Sequence, residues 1–382
     1  MRAFVVCLPS GVRYWTVVDE QLRVHPAADA FLQHLRLGAG RAEGTTQAYA
    51  TAVALYLVWC GQAQDDWREA VDRLGGFMLW LRHAPGPSTL RRMDGEPVAL
   101  VVRQPRRINA VLVAVREFFK HAVAVGLAPS SVLAGLYEVG DDRWLPAELR
   151  AEGMGLRHIA RPRHRLSVGE RQVVRASDEE ALALLHACRS ARDRLIVLLL
   201  ARAGLRRGEV AGLRRADVHL ALDSTGAGCQ VPGEHVHVVR REESPRGAWA
   251  KSGRSRAVPV DFLLVQAFDA YAWERQACQQ AEGCDFVLVN LFRAPLGVPM
   301  RPGALNEVLA ALSRRAGLDR QIHPHQLRHA FADNVLAAGG TVDEVQALLG
   351  HASPASTQPY LNPSTERLRT AVERVARTQA VR

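Results

Sequence analysis

Apolar residues recur along most of this chain at the three-to-four-residue spacing of amphipathic helices, and two stretches break that rhythm in favour of alternation. Residues 1–24 alternate loosely, with Val5-Val6 and Tyr14-Trp15-Thr16-Val17-Val18 on either side of a Pro9-Ser10-Gly11 turn; they predict a hairpin. Helical spacing follows. Phe31, Leu32, Leu35 and Leu37 mark one helix; Tyr49, Val53, Leu55, Tyr56, Val58 and Trp59 mark a second, capped by Thr45-Thr46. Residues 67–81 predict a third helix and 108–125 a fourth, carrying Val111, Val115, Phe118 and Phe119; Pro85-Gly86-Pro87 and Pro129 punctuate them.

The second half opens at Ser177, whose partner three residues on is Glu180, a capping box. A buried helix is expected over 195–203, and three short strands over 218–222, 235–240 and 256–260. A helix then opens at His325 and stops at Gly339-Gly340. The next is boxed by Thr341 and Glu344, buries Val345, Leu348 and Leu349, and ends at Gly350. Beyond Asn362-Pro363 a last helix carries Leu368, Ala371, Val372 and Val375 on one stripe. The expected class is mainly α with a small antiparallel β-sheet. The segments are a hairpin extension (1–25), a helical domain (26–150), a linker (151–176) and a second domain with a tail helix (177–382).

Charge sharpens this picture. The net charge is +10 and the pI about 9.9, which favours an acidic partner, nucleic acid first. Half of that excess lies in residues 157–175, where six arginines face one glutamate. Such a stretch reads as a flexible charged linker and as a backbone-crossing DNA contact, with Arg157, Arg161, Arg163 and Arg165 as candidates. Only Lys120 and Lys251 are lysine. The six cysteines have no metal or disulfide spacing, which suits a reducing cytosol. The apolar runs are too short to span a bilayer or form a signal-peptide core.

Candidate chemistry gathers between His325 and Tyr360. His325 and Arg328 lie three apart and share a helix face; His351 follows Gly350, and a Ser/Pro/Thr-rich loop leads to Tyr360. A guanidinium matches phosphate oxygens, imidazole moves a proton near neutrality, and a tyrosine flanked by cations can act as a covalent nucleophile. His325 and His329 also stand at the four-residue spacing of zinc-dependent hydrolases, with His323 close by. Gln326, however, occupies the place of their glutamate base.

In order and spacing, His325-x-x-Arg328, Leu349-Gly350-His351 and Tyr360 resemble the signature of the tyrosine recombinase (phage integrase) family. Gly204-Leu205-Arg206-x-x-Glu209 is similar to its first box. The resemblance implies a helical core-binding domain and a mixed helical catalytic domain forming a C-shaped DNA clamp. It implies that Arg206, Lys251, His325, Arg328, His351 and the nucleophile Tyr360 are catalytic, with Glu209 and His329 supporting. A lysine at position 251 suits a general acid, since arginine does not release its proton. In the first domain, Thr45, Thr46 and Tyr49, and Arg106, Arg107 and Asn109, match family elements that lie against DNA.

The implied activity is site-specific recombination or integration through a 3′-phosphotyrosyl intermediate, with no metal or other cofactor. A mobile-element transposase and a type IB topoisomerase share that chemistry, and a non-catalytic DNA-binding protein is a further alternative. Implied partners are double-stranded DNA bearing recombination sites, a homotetramer in the synapse, and DNA-bending accessory proteins; no membrane is expected. The expected location is the cytoplasm, at the nucleoid through DNA. Pro359, next to the nucleophile, is expected to start its helix or stiffen its loop.

Overall fold

A computed structural model describes residues 1–84, 103–140, 159–169, 174–239, 241 and 255–350. The chain divides into two compact units, Met1–Glu170 and Arg171–Arg382.

The first unit opens with the expected hairpin. Strands β1 (Arg2–Cys7) and β2 (Arg13–Val18) pair antiparallel with Arg2 opposite Val18, and the turn closes through Gly11 N–H to the Leu8 carbonyl at 2.8 Å. Tyr14, Thr16 and Val18 are buried, and Val17 joins the helical core, so the hairpin is part of this unit rather than an appendage. Helices α1 (Pro26–Gln33), α2 (Glu43–Ala63), α3 (Leu74–His83), α4 (Pro105–Ala124) and α5 (Val132–Leu136) follow. They enclose a core rich in rings: Phe31, Tyr56, Trp67, Phe77, Phe118 and Phe119. Each buried aromatic of this kind stabilises by about 1.5–3 kcal/mol over leaving it in water. Tyr56 donates its hydroxyl to the Trp67 carbonyl at 2.7 Å, which satisfies the one polar atom such a ring brings inside.

Three expectations for this unit change. Helix α2 begins at Glu43, with Ala42 at its cap, so Thr45 and Thr46 lie inside its first turn; Thr46 donates its hydroxyl to the Glu43 carbonyl. The helix expected over 67–81 is a 3₁₀ turn, Glu69–Arg73, followed by α3, and Gly75-Gly76 sit in the first turn of α3. The basic segment is not a free linker where it is described. Strand β4 (Ile159–Pro162) pairs antiparallel with β3 (Tyr137–Gly140). Beyond it, Asn109 holds Leu166 by two hydrogen bonds of 2.9 Å, and Arg116 donates to the His164 carbonyl at 3.2 Å. Backbone pairing and two side chains one heptad apart on α4 fix this segment despite its charge.

In the second unit, α6 (Asp178–His186) starts at the expected Ser177/Glu180 box. Helix α7 (Ala191–Ala201) buries Leu195 through Leu200 without interruption, because α9 (Phe262–Gln276) and α11 (Pro324–Ala337) both pack on it. Short helix α8 (Arg207–Gly212) leads to a three-stranded antiparallel sheet in the order β5 (Val218–His219), β6 (His235–Val238), β7 (Arg256–Pro259). The strands are shorter than expected but in the expected places. Helix α10 (Pro302–Arg315) precedes α11, and α12 (Val342–Leu349) starts at the Thr341/Glu344 box and ends at Gly350 in the left-handed region. The tail helix expected after Pro363, like Pro359, the Pro85–Pro87 turn and Arg157, lies outside the described residues.

Candidate active site

The centre of the second unit is a buried carboxylate. Glu209, on the first turn of α8, has a side chain with no exposure, a place where a carboxylate survives only if paired. Arg206 donates to it from its backbone N–H and from its guanidinium, both at 2.8 Å. Arg256, from β7, reaches both of its oxygens, at 2.8 and 3.2 Å. Arg328, from α11, stands at 3.7 Å. Burial alone would push the Glu209 carboxyl up; the hydrogen bonds and charge of Arg256, then of Arg206, pull it down to about 2. Three guanidiniums against one carboxylate leave the centre with a surplus of two positive charges.

The same arginines are tied to backbone. Arg328, 6 % exposed, donates to the Gly204 carbonyl and, at 2.6 Å, to that of Leu349. Arg206 donates to the Gly350 carbonyl at 3.2 Å and Arg256 to that of Leu348 at 2.8 Å. The carbonyls left open at the end of α12 are thereby filled by three cations, a favourable pairing with the negative end of a helix. Two glycines permit this approach. A Cβ on Gly204 would fall 2.3 Å from Phe331, and one on Gly350 would fall 2.7 Å from the Arg256 guanidinium. Both have positive φ, at 59° and 62°.

Of the candidate catalytic residues, the structure brings Arg206 and Arg328 to this centre; Arg207, the alternative to Arg206 in the same box, is exposed. His325 is exposed on the first turn of α11, its ring stacked 5.7 Å from that of His323. His329 is half-buried one turn on, edge-on to His325 at 5.9 Å; burial, then the charges of His325 and Arg328, holds its imidazole down at about 4. Gln326, where a hydrolase would carry its base, is buried and accepts from the His323 backbone N–H at 2.7 Å. Lys251, His351 and Tyr360 lie outside the described residues, although the chain enters His351 directly from Gly350.

Sequence reading passed over Arg256, one arginine among many in an Arg-rich chain. Its signal was position: it opens the third expected strand, five residues after Lys251, and alternates with buried Val258.

The candidate DNA contacts of the first unit separate into two groups. Thr45, Arg106, Arg107, Arg161, Arg163 and Arg165 are exposed, although Arg163 also donates to the Ala134 carbonyl at 3.0 Å. Thr46 is fully buried, Tyr49 is half-buried with its ring 6.1 Å from Phe31, and Asn109 has both amide atoms engaged by Leu166. Thr46 and Asn109 are thus engaged within the unit, by the Glu43 carbonyl and by Leu166. Among the described residues no helix is long and apolar enough to cross a membrane.

Residues 175–367 match the model of the phage integrase family. Tyrosine recombinase XerC of Methylobacterium sp. (strain 4-46) is 31% identical over 314 residues, covering 76% of this chain and 94% of that protein. Transposase A from transposon Tn554 of Staphylococcus aureus is 22% identical over 353 residues, covering 90% and 88%. In fold, the chain resembles a lambda integrase dimer bound to a COC′ core site (TM-score 0.54, 14% identity, covering 89% and 96%). It also resembles XerH site-specific recombinase in a post-cleavage complex with its difH substrate (TM-score 0.53, 16% identity, covering 93% and 89%). With Arg206 and Arg328 seated around one buried glutamate and the family model spanning them, this chain belongs to the phage integrase family, the tyrosine recombinases.

Proposed function

We propose that this protein is a site-specific DNA recombinase or integrase that cuts and rejoins DNA through a 3′-phosphotyrosyl intermediate. The observation that carries this reading is the Glu209 centre, where Arg206 and Arg328 are held beside each other with surplus positive charge and the chain leaves directly toward His351. Rigid guanidiniums of this kind stabilise charge developing on the non-bridging oxygens of a phosphodiester under attack.

In this reaction the Tyr360 oxygen attacks phosphorus and the 5′ oxygen leaves, taking a proton from Lys251. His325 and His351 bind the phosphate or accept the tyrosine's proton. A 5′-hydroxyl of the partner strand then attacks the phosphotyrosine, remakes the phosphodiester and frees the tyrosine. One phosphodiester is stored for each one remade, so no nucleotide cofactor is consumed. Exchange between two duplexes calls for a tetrameric synapse, and DNA-bending accessory proteins would shape it. Exposed Thr45, Arg106, Arg107, Arg161, Arg163 and Arg165 are the proposed phosphate contacts of the first unit, with Arg157 beside them.

A second reading, transposition of a mobile element, is favoured by the similarity to transposase A along 90% of this chain. One experiment tests the chemistry and then separates the two uses. Nicked, labelled duplexes from the ends of the resident element are incubated with the protein and with Tyr360→Phe, and resolved under denaturing conditions. A protease-sensitive adduct for the wild type alone is expected. An adduct that persists in Tyr360→Phe would remove Tyr360 as nucleophile. Transfer of the trapped end to unrelated DNA would favour transposition; transfer only to a matching site would favour site-specific recombination.

A further inference from the structure

Four donor side chains, none of them among the residues assigned above, meet on one face of the small sheet: His219, Cys229, His235 and His237. Strand geometry explains three of them. His235 and His237 are two apart on β6 and so share a face, and His219 on β5 is the cross-strand partner of His235. The fourth comes from the loop between those strands. Asp223 accepts from the Thr225 N–H at 2.9 Å, a 3₁₀ turn follows over Thr225–Ala227, and Gly228 at φ 79° reverses the chain. Cys229 is thereby folded back over the sheet, with its N–H donating to the Ser224 carbonyl at 3.1 Å.

Cys229 Sγ lies 3.3 Å from His235 Nε2 and 3.2 Å from His237 Nε2, and the two nitrogens are 3.1 Å apart. His219 is stacked on His235 at 4.9 Å between ring centroids, and all four donor atoms fall within 4.8 Å of one another. Hydrogen bonds alone fit this triangle poorly. His235 Nδ1 is 2.7 Å from the Gly233 carbonyl, which can only accept, so Nδ1 bears the proton and Nε2 faces the cluster with a lone pair. Three mutual contacts then share at most two protons, one on sulfur and one on His237. Angles near those of a triangle are also far from the linear geometry that hydrogen bonds prefer.

A tetrahedral ion bound by imidazole and thiolate sets its nitrogens about 3.3 Å apart and nitrogen from sulfur about 3.6 Å, close to the spacings seen. The proton on His235 Nδ1, donated to a backbone carbonyl, is the orienting contact that metal-bound histidines usually make.

We propose that His219, Cys229, His235 and His237 bind one zinc-type divalent ion in a closed, four-ligand structural site, with His219 moving in by the remaining distance. One thiolate and three imidazoles suit zinc, and no donor position is left for catalysis. The ion pins the loop over 220–234 to the sheet. Its effect extends to the centre described above, because Val238, next to His237, pairs with Arg256, the main partner of Glu209. A metal on β6 therefore steadies the strand that delivers Arg256.

The test uses the untagged full chain, purified from zinc-supplemented cells without chelator, and its readouts do not depend on DNA chemistry. Elemental analysis is expected to find close to one zinc per chain. Stripped protein titrated with cobalt should develop visible bands of tetrahedral Co²⁺ and a near-ultraviolet thiolate charge-transfer band. Cys229→Ser should lose the charge-transfer band, whereas Cys7→Ser, changed at an exposed cysteine of the first unit, should keep it. Chelator should lower the wild-type Tm by several degrees and leave that of His235→Ala/His237→Ala unmoved. Substoichiometric zinc in the wild type, together with no cobalt spectrum on titration, would overturn the proposal and leave a thiol–imidazole hydrogen-bond cluster. An unchanged charge-transfer band in Cys229→Ser would overturn it too. Because the wild-type titration needs no variant, misfolding of a variant cannot rescue or obscure the result.

Discussion

The two units handle positive charge in opposite ways. In the first, Arg106 and Arg107 stand exposed on α4, Arg161 on β4 and Arg165 in the irregular segment that follows it. In the second, Arg206, Arg256 and Arg328 are drawn to one carboxylate that has no exposure, and each also donates to a particular backbone carbonyl. Exposed cations attract a polyanion from a distance and tolerate small displacement, which suits holding a duplex. Cations around a buried counter-charge are fixed in place, which suits stabilising charge at one phosphorus. The difference supports the proposed division between residues that hold a duplex and residues that act on one phosphorus.

The comparison breaks most visibly at Glu209. Glu209→Ala leaves buried guanidiniums facing one another, and is expected to destabilise the protein by about 3–5 kcal/mol in denaturant unfolding while abolishing adduct formation. If the loss were no larger than that of a surface substitution, the central role of this carboxylate would be wrong. Arg206→Ala and Arg328→Ala come next: strand cleavage should fall by about 10²–10³-fold, with duplex affinity at fixed salt nearly unchanged. A parallel fall in affinity would place these residues with the exposed cations instead.

Acid titration sharpens the same contrast. His329 is held at about 4 against an ordinary 6.5, so the unfolded chain takes up its proton first. Its contribution is present above pH 6.5 and is lost as pH falls toward 4; Glu209, held at about 2 against 4.5, loses its own contribution below that. Stability measured against pH should therefore decline in two stages; burial also lowers His25, His121, His164 and His237, so His329→Gln should make the upper stage shallower and leave the lower one unchanged.

The smallest effects come from the first unit, as a crossed pair. Asn109→Ala should cost about 1–2 kcal/mol of stability, since it unpins Leu166, and should leave the salt dependence of DNA binding intact. Arg106→Ala should do the reverse: stability within about 0.5 kcal/mol, and a salt slope smaller by about one. Equal salt slopes for the two would remove the distinction between them.

Periodicity and cap chemistry are local, so the sequence by itself determined the hairpin, most helices, the Ser177 and Thr341 boxes and the end of α12 at Gly350. Motif spacing likewise picked out Arg206, Glu209, His325 and Arg328, because those residues sit on short elements whose order along the chain is itself the signal. What depended on distant partners was not legible there. Asn109 and Thr46 carry side chains suited equally to phosphate and to backbone, and only the proximity of Leu166 and of the Glu43 carbonyl assigned them inward. The charge of residues 159–166 argued for a free linker until pairing with β3 supplied its hydrogen bonds. Arg256 gained its role from Glu209, 47 residues before it in the chain. Cys229 met His219 only because a loop folds back over a sheet, a distance that spacing along the chain does not encode. Local rules act through adjacent dihedrals and were readable. Charge pairing and donor clustering act through space, and the tertiary structure alone decided them.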